Sequence, residues 1–318
     1  MAVPQLIRWS IRRHSLTRTD AMAEPGDYLS GIIQRAFKKN GFDTLCTLLR
    51  VDGMSDPGWD PFEETRAALE EYNWILERVQ EEKGDKAALR IGLLMYCQLV
   101  EMSGVHEMLC NLLRILGGEP FTITPFMHLW RRRRSLAYVP PSAKMKFREI
   151  TERCERLGES RLPDLITEFF NDSIRNAFIH SDYILTAEAF RWTEGGPAKQ
   201  VPRDELEGII DACFRFYSAL MQLQTGWLTE LARARRFHPW PNYEVLELLS
   251  DDQGVYGFNV HFSNGSKATF SRRPDGVKAI NLSFSKDQVG FFVGDLDALE
   301  PVYKVDGQPV EDWASLEE

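Results

Sequence analysis

"LPDLITEFFNDSIRNAFIHSDY", Leu162 to Tyr183, decides how this chain folds. Its apolar residues recur at helical spacing. On an ideal helix turning 100° per residue, Ile166, Phe170, Ile174, Ala177 and Phe178 form one stripe, which predicts a single amphipathic helix from Ile166 to Ser181. Pro163 suits a first helical turn and Asp164 favours the positive end of the helix dipole. Three polar residues interrupt this otherwise good core stretch. Asn176 and His180 are four apart and share the border of the stripe beside Phe169, while Arg175 lies five residues before His180, about 140° round the helix.

Helical patterns continue on both sides. "DPFEETRAALEEYNWILERVQEE" carries Leu69, Tyr72, Ile75, Leu76 and Val79 at spacings of three and four, an amphipathic helix opened by Asp-Pro. "KAALRIGLLMYCQLVEMSGVHEMLCNLLRIL" reads as one longer helix ended by Gly117 and Gly118. Being apolar over most of its circumference, it belongs at the centre of a bundle. "WRRRRSLAYVPP" is a basic linker, and "SAKMKFREITERCERLG" a charged helix stopped by Gly158. After the opening stretch, "YILTAEAFRWTEGGPAKQVPRDE" places β-type residues around a Gly-Gly-Pro turn, the pattern of a small hairpin. A long helix follows over "RDELEGIIDACFRFYSALMQLQTGWLTELARAR".

Near Pro239 the texture changes. "YEVLELLS", "VYGFNVHF", "KATFSRR", "KAINLSFS" and "VGFFVG" are short runs of β-branched and aromatic residues, separated by turn signals such as "SNGS" and "PDGV". The expected fold class is therefore α+β, mainly α: a helical bundle followed by a small antiparallel β domain. Composition shifts place the divisions at 1–58 (an N-terminal arm and short helices), 59–238 (the bundle) and 239–318 (the β-rich part).

Composition narrows the functional classes. With 318 residues, 43% hydrophobic and 27% charged, the chain has the make-up of a soluble globular protein, and no apolar run approaches membrane-spanning length. The start, "MAVPQLIRWSIRRHSLTR", is basic without an apolar signal-peptide core and reads as an arm. Cys46, Cys97, Cys110, Cys154 and Cys213 are scattered, with no CxxC pair, which argues against a zinc knuckle or a disulfide framework and points to the reducing cytosol. The net charge of −9 is concentrated after Trp240, leaving the first 239 residues close to neutral. Local basic patches there remain able to bind phosphate. No phosphate-binding glycine loop, nucleophile elbow or metal-ligand spacing occurs, so any catalysis rests on side chains alone, without cofactor or metal.

"RNAFIH", Arg175 to His180, has the form Arg-Asn-x-x-x-His and resembles the R-x4-6-H signature of the HEPN superfamily, helical bundles that include metal-independent ribonucleases of bacterial toxin and antiviral systems. The loose pattern also fits "RARRFH" (Arg233 to His238) and "RWSIRRH" (Arg8 to His14). What distinguishes the first is the Asn after Arg, the amphipathic helix and the helices on both sides. The resemblance covers roughly residues 60–236. It implies a composite site between two copies, with Arg175 stabilising phosphate, His180 as general acid and base, and Asn176 as organiser. RNA is the implied substrate, and a homodimer the implied assembly. Glu101 and Asp172 are candidate supporting residues, and Arg131, Arg132, Arg133, Arg134, Lys144 and Lys146 candidate RNA contacts. The rival expectation is a catalytically inactive bundle that dimerises or binds a partner such as a nucleotidyltransferase-type antitoxin.

Overall fold

A computed structural model describes residues 20–51, 60–83, 85–132, 138–233, 245–261, 267–271, 282–285, 288–291, 302–305 and 308–309. The protein is mainly helical with smaller sheets, the α+β class that the periodicities predict. In chain order the helices are α1 (Asp20–Lys39), α2 (Gly41–Leu48), α3 (Pro61–Lys83), α4 (Asp85–Glu101), α5 (Ser103–Leu116), α6 (Ala143–Leu157), α7 (Arg161–Phe169), α8 (Asp172–Ile179) and α9 (Arg203–Arg233). No single helix among the described residues is long and apolar enough to cross a membrane.

Two compact units divide the chain. One takes residues 1–31, 61–106 and 128–222, the other residues 32–60, 107–127 and 223–318, so the units interleave along the sequence. The composition changes near 58 and 238 fall in stretches outside the described residues.

In the first unit α3 packs on α4, α4 on α8, and α6 on α7. Its core is aromatic. The Phe169 ring lies 5.0 Å from Phe216 and 5.8 Å from both Phe147 and Tyr217, and all four are buried. Such ring pairs add to the large area that each side chain removes from water. Beside the helices, β3 (Tyr183–Leu185), β4 (Ala189–Trp192) and β5 (Lys199–Pro202) make an antiparallel sheet, the hairpin expected around Gly195-Gly196-Pro197 with one strand more. Its inner face buries Leu185, Phe190, Trp192 and Val201. β1 (Arg131–Arg132) and β2 (Tyr138–Val139) form a short antiparallel pair.

Two expected helices are broken. The run from Lys86 to Leu116 is interrupted at Met102, giving α4 and α5. The helix expected from Ile166 to Ser181 is interrupted at Phe170 and Asn171, whose backbones are extended. Asn171 acts there as the N-cap of α8, its side chain accepting from Ile174 N at 3.1 Å. A break in a core leaves backbone groups needing partners. Tyr96 supplies them: its hydroxyl donates to Phe169 O and accepts from Asn171 N, both at 3.0 Å.

In the second unit, Phe42 of α2 packs 5.4 Å from Phe258, and Gln224 donates to Leu48 O at 2.6 Å. β6 (Val245–Asp251), β7 (Gly254–His261) and β8 (Lys267–Ser271) form the antiparallel meander read from the sequence. β11 (Val302–Val305) then pairs with β6 in parallel, and β12 (Gln308–Pro309) closes that five-stranded sheet, so the sheet is mixed. β9 (Leu282–Ser285) and β10 (Gln288–Phe291) form a separate hairpin. Gly254, at φ +122, meets Leu228 so closely that a Cβ would lie 2.9 Å from its carbonyl.

Candidate functional site

α8 carries Asp172 and Ser173 in its first turn, Arg175 and Asn176 in its middle and His180 at its C-terminal cap. Its C-terminus is fixed by a left-handed residue: Ser181 has φ +61, Asp182 N donates to Ala177 O at 2.9 Å and Ser181 N to Phe178 O at 3.2 Å. This is the double bond pattern of a Schellman cap, built here on serine rather than glycine. His180 is the capping residue and its ring is exposed.

A cleft of roughly 290 Å³ opens between α8 and the β4–β5 turn. Asp172, Ser173, Asn176 and His180 line one wall, Trp192, Thr193 and Glu194 another, with Lys144 of α6 and Asp182 also contributing. Asn176 and His180 thus share a cavity, as their spacing predicts. Arg175 does not line it. Its guanidinium is 14% exposed and binds Glu101 of α4 at 2.6 Å, Asp172 at 3.6 Å and Asn176 Oδ1 at 2.7 Å. Because a guanidinium only donates, this last bond fixes the Asn176 amide with its oxygen toward Arg175 and its NH₂ group left as a donor.

Charge in the cleft is mixed. Lys144, 67% exposed, lies 3.4 Å from Asp172, which therefore sits between two cations. Asp182 and Glu194 add two more carboxylates. Glu194 receives the Trp192 indole N–H at 3.2 Å and the Lys199 ammonium. These bonds, that from Lys199 foremost, hold its carboxyl down at about 2.

The remaining candidates are dispersed. Glu101 is brought to Arg175. Further along, His106 is wholly buried in α5, edge-on to Phe147 at 4.6 Å, and belongs to the core. Arg131 is exposed on β1 with Arg132 beside it in the strand, and Arg133 and Arg134 lie outside the described residues. Lys146 departs from the expected surface track: it is buried and donates to Ser103 Oγ at 2.7 Å. His14 and His238, ends of the two rival motif matches, also lie outside the described residues.

Two large apolar side chains flank the cleft residues in sequence, Ile179 at 51% exposure and Ile184 at 63%. Among the described residues no group of three or more His, Cys, Asp or Glu is placed to hold a metal ion. Trp192 and Glu194 escape the motif reading because the hairpin returns them from outside it, and Ser173 because it precedes the Arg-Asn-x-x-x-His pattern on α8. The one sequence signal is the Gly-Gly-Pro turn that follows Glu194 directly. Comparisons with family models, with curated proteins and with solved structures found no match.

Proposed function

We propose that this protein is a HEPN-type, metal-independent endoribonuclease working as a homodimer in the cytoplasm, in a bacterial toxin or phage-defence role. The observation that carries this reading is the exposed His180 imidazole sharing one cleft with Asn176, whose amide Arg175 orients from behind. Histidine is the side chain suited to proton transfer near neutrality, and this one is open to solvent and to a bound substrate. In RNA cleavage it would take the proton from a 2'-hydroxyl as that oxygen attacks phosphorus. The P–O5' bond breaks, the 5'-oxygen leaves with a proton, and a 2',3'-cyclic phosphate remains. One imidazole serves one of these transfers, and the His180 of a second copy serves the other. Asn176 Nδ2 and Lys144 would address the non-bridging oxygens. Arg175 acts here as a positioning residue, since Glu101 and Asp172 already engage its guanidinium.

A second reading has its own support. Three carboxylates in the cleft and a neutralised arginine favour a catalytically silent module that pairs with itself or with a nucleotidyltransferase-type partner. One experiment separates them. Purified protein is incubated with structured and unstructured RNA in EDTA, alongside His180→Ala and Arg175→Ala. The enzyme reading expects chelator-resistant cleavage that falls by at least about 100-fold in His180→Ala, the scale of a lost general acid or base. Inert wild type on every RNA selects the silent module.

A further inference from the structure

Glu194 is exposed, yet two donors from two strands converge on its carboxylate, the Trp192 indole of β4 and the Lys199 ammonium of β5, and Ser173 of α8 lines the same cleft. Water alone would satisfy a carboxylate on a surface turn. A hydroxyl, a ring N–H and an ammonium are also the set that phosphate oxygens accept. Glu194, Trp192 and Ser173 line the cleft that holds Asn176 and His180, to which Lys144 also contributes, and Lys199 is tied to it through Glu194.

We infer that Glu194 is an internal stand-in for a ligand phosphate, occupying an anion subsite built by Ser173, Trp192 and Lys199 and leaving it when RNA binds. This rests on the RNA reading above and adds the regulation of that site. The carboxylate is mounted on an exposed turn, residues 193–198. Gly195 (φ +73) and Gly196 follow it, and both have open space around the Cα. Its departure releases Lys199 to face the cleft as an uncompensated cation, while Asp172 stays matched by Lys144 and Arg175. The protein thereby holds its own competitor for phosphate, and a ligand must outbid a tethered anion whose effective concentration is high.

The test uses a short 2'-O-methyl oligoribonucleotide, which lacks the attacking hydroxyl, titrated by fluorescence anisotropy at one fixed salt concentration. Glu194→Gln keeps the side-chain shape and removes the charge, and is expected to tighten binding by about tenfold. Asp182→Asn removes an equal charge from the same cleft but leaves the subsite filled, so its gain stays below about threefold. Lys199→Ala placed on Glu194→Gln should cancel the gain, and circular dichroism confirms that each variant is folded. Equal gains for Glu194→Gln and Asp182→Asn, or no gain for either, overturn the subsite. Wild-type cleavage in EDTA is scored in parallel: cleavage without a Glu194→Gln effect sinks the subsite alone, and absence of both cleavage and binding in all variants sinks both readings.

Discussion

At the scale of single residues, His106 carries a cost that depends on pH. Burial, and then the nearby Lys146 ammonium, push its imidazole down to about 3, so the folded state holds it neutral. An unfolded chain protonates it near 6.5. Between those two values the unfolded state binds the extra proton, so stability is complete above about pH 6.5 and falls by up to about 1.4 kcal/mol per pH unit on acidification. Urea unfolding at pH 7 and pH 5 should show this loss, and His106→Leu should flatten the slope across that window. Ser181 carries a different cost, a left-handed backbone with a side chain attached. Ser181→Gly is expected to raise unfolding free energy by about 0.5–1 kcal/mol in denaturant titration. Legibility at this scale followed geometry. Asn176 and His180 were readable together because four residues make one helical turn. Lys144 and Lys146, read together from the sequence, part in the fold because residues two apart on a helix point about 200° apart, one to solvent and one into the core.

At the scale of elements, the break between α7 and α8 aims the site, and Tyr96 holds the break. Tyr96→Phe leaves the Phe169 carbonyl and the Asn171 N–H without that partner, at an expected cost of about 1–3 kcal/mol. Hydrogen exchange at Asn171 should accelerate, while amides in α9 stay protected. The apolar stripe from Ile166 to Phe178 concealed this break, since Phe170 extends the periodicity through the very residue that leaves the helix. Asn171 was the available signal, a capping residue in mid-pattern. In the C-terminal part the turn signals gave β6, β7 and β8 in antiparallel order, because each partner is the next strand along the chain. The parallel pairing of β11 with β6 was not legible, as nothing local to either strand specifies a partner so distant in sequence.

At the scale of the whole molecule, the proposed dimer gives the exposed pair Ile179 and Ile184 a purpose. Both immediately flank the stretch that ends α8, and Ile184 lies on the outer face of its sheet with Arg191 and Gln200 in register. Charged substitution at a buried apolar contact disrupts association without touching a monomer's core. Ile179→Asp with Ile184→Asp should therefore shift light-scattering mass from dimer to monomer, leave far-ultraviolet dichroism unchanged and, on the proposed ribonuclease reading, abolish cleavage. A dimer that survives the double substitution places the contact elsewhere.

The interleaving of the two units has a consequence for synthesis. Each is assembled from three instalments of polypeptide, and the last instalment of the second includes β6 and its late-arriving neighbour β11. A nascent chain halted anywhere before residue 222 has completed neither, and the stretch that holds the first unit whole also carries two segments of the second. Such distant pairings slow folding because long loops must close before they are rewarded. The first unit therefore cannot close its aromatic core around Phe169, Phe216 and Tyr217 until its third instalment has been made.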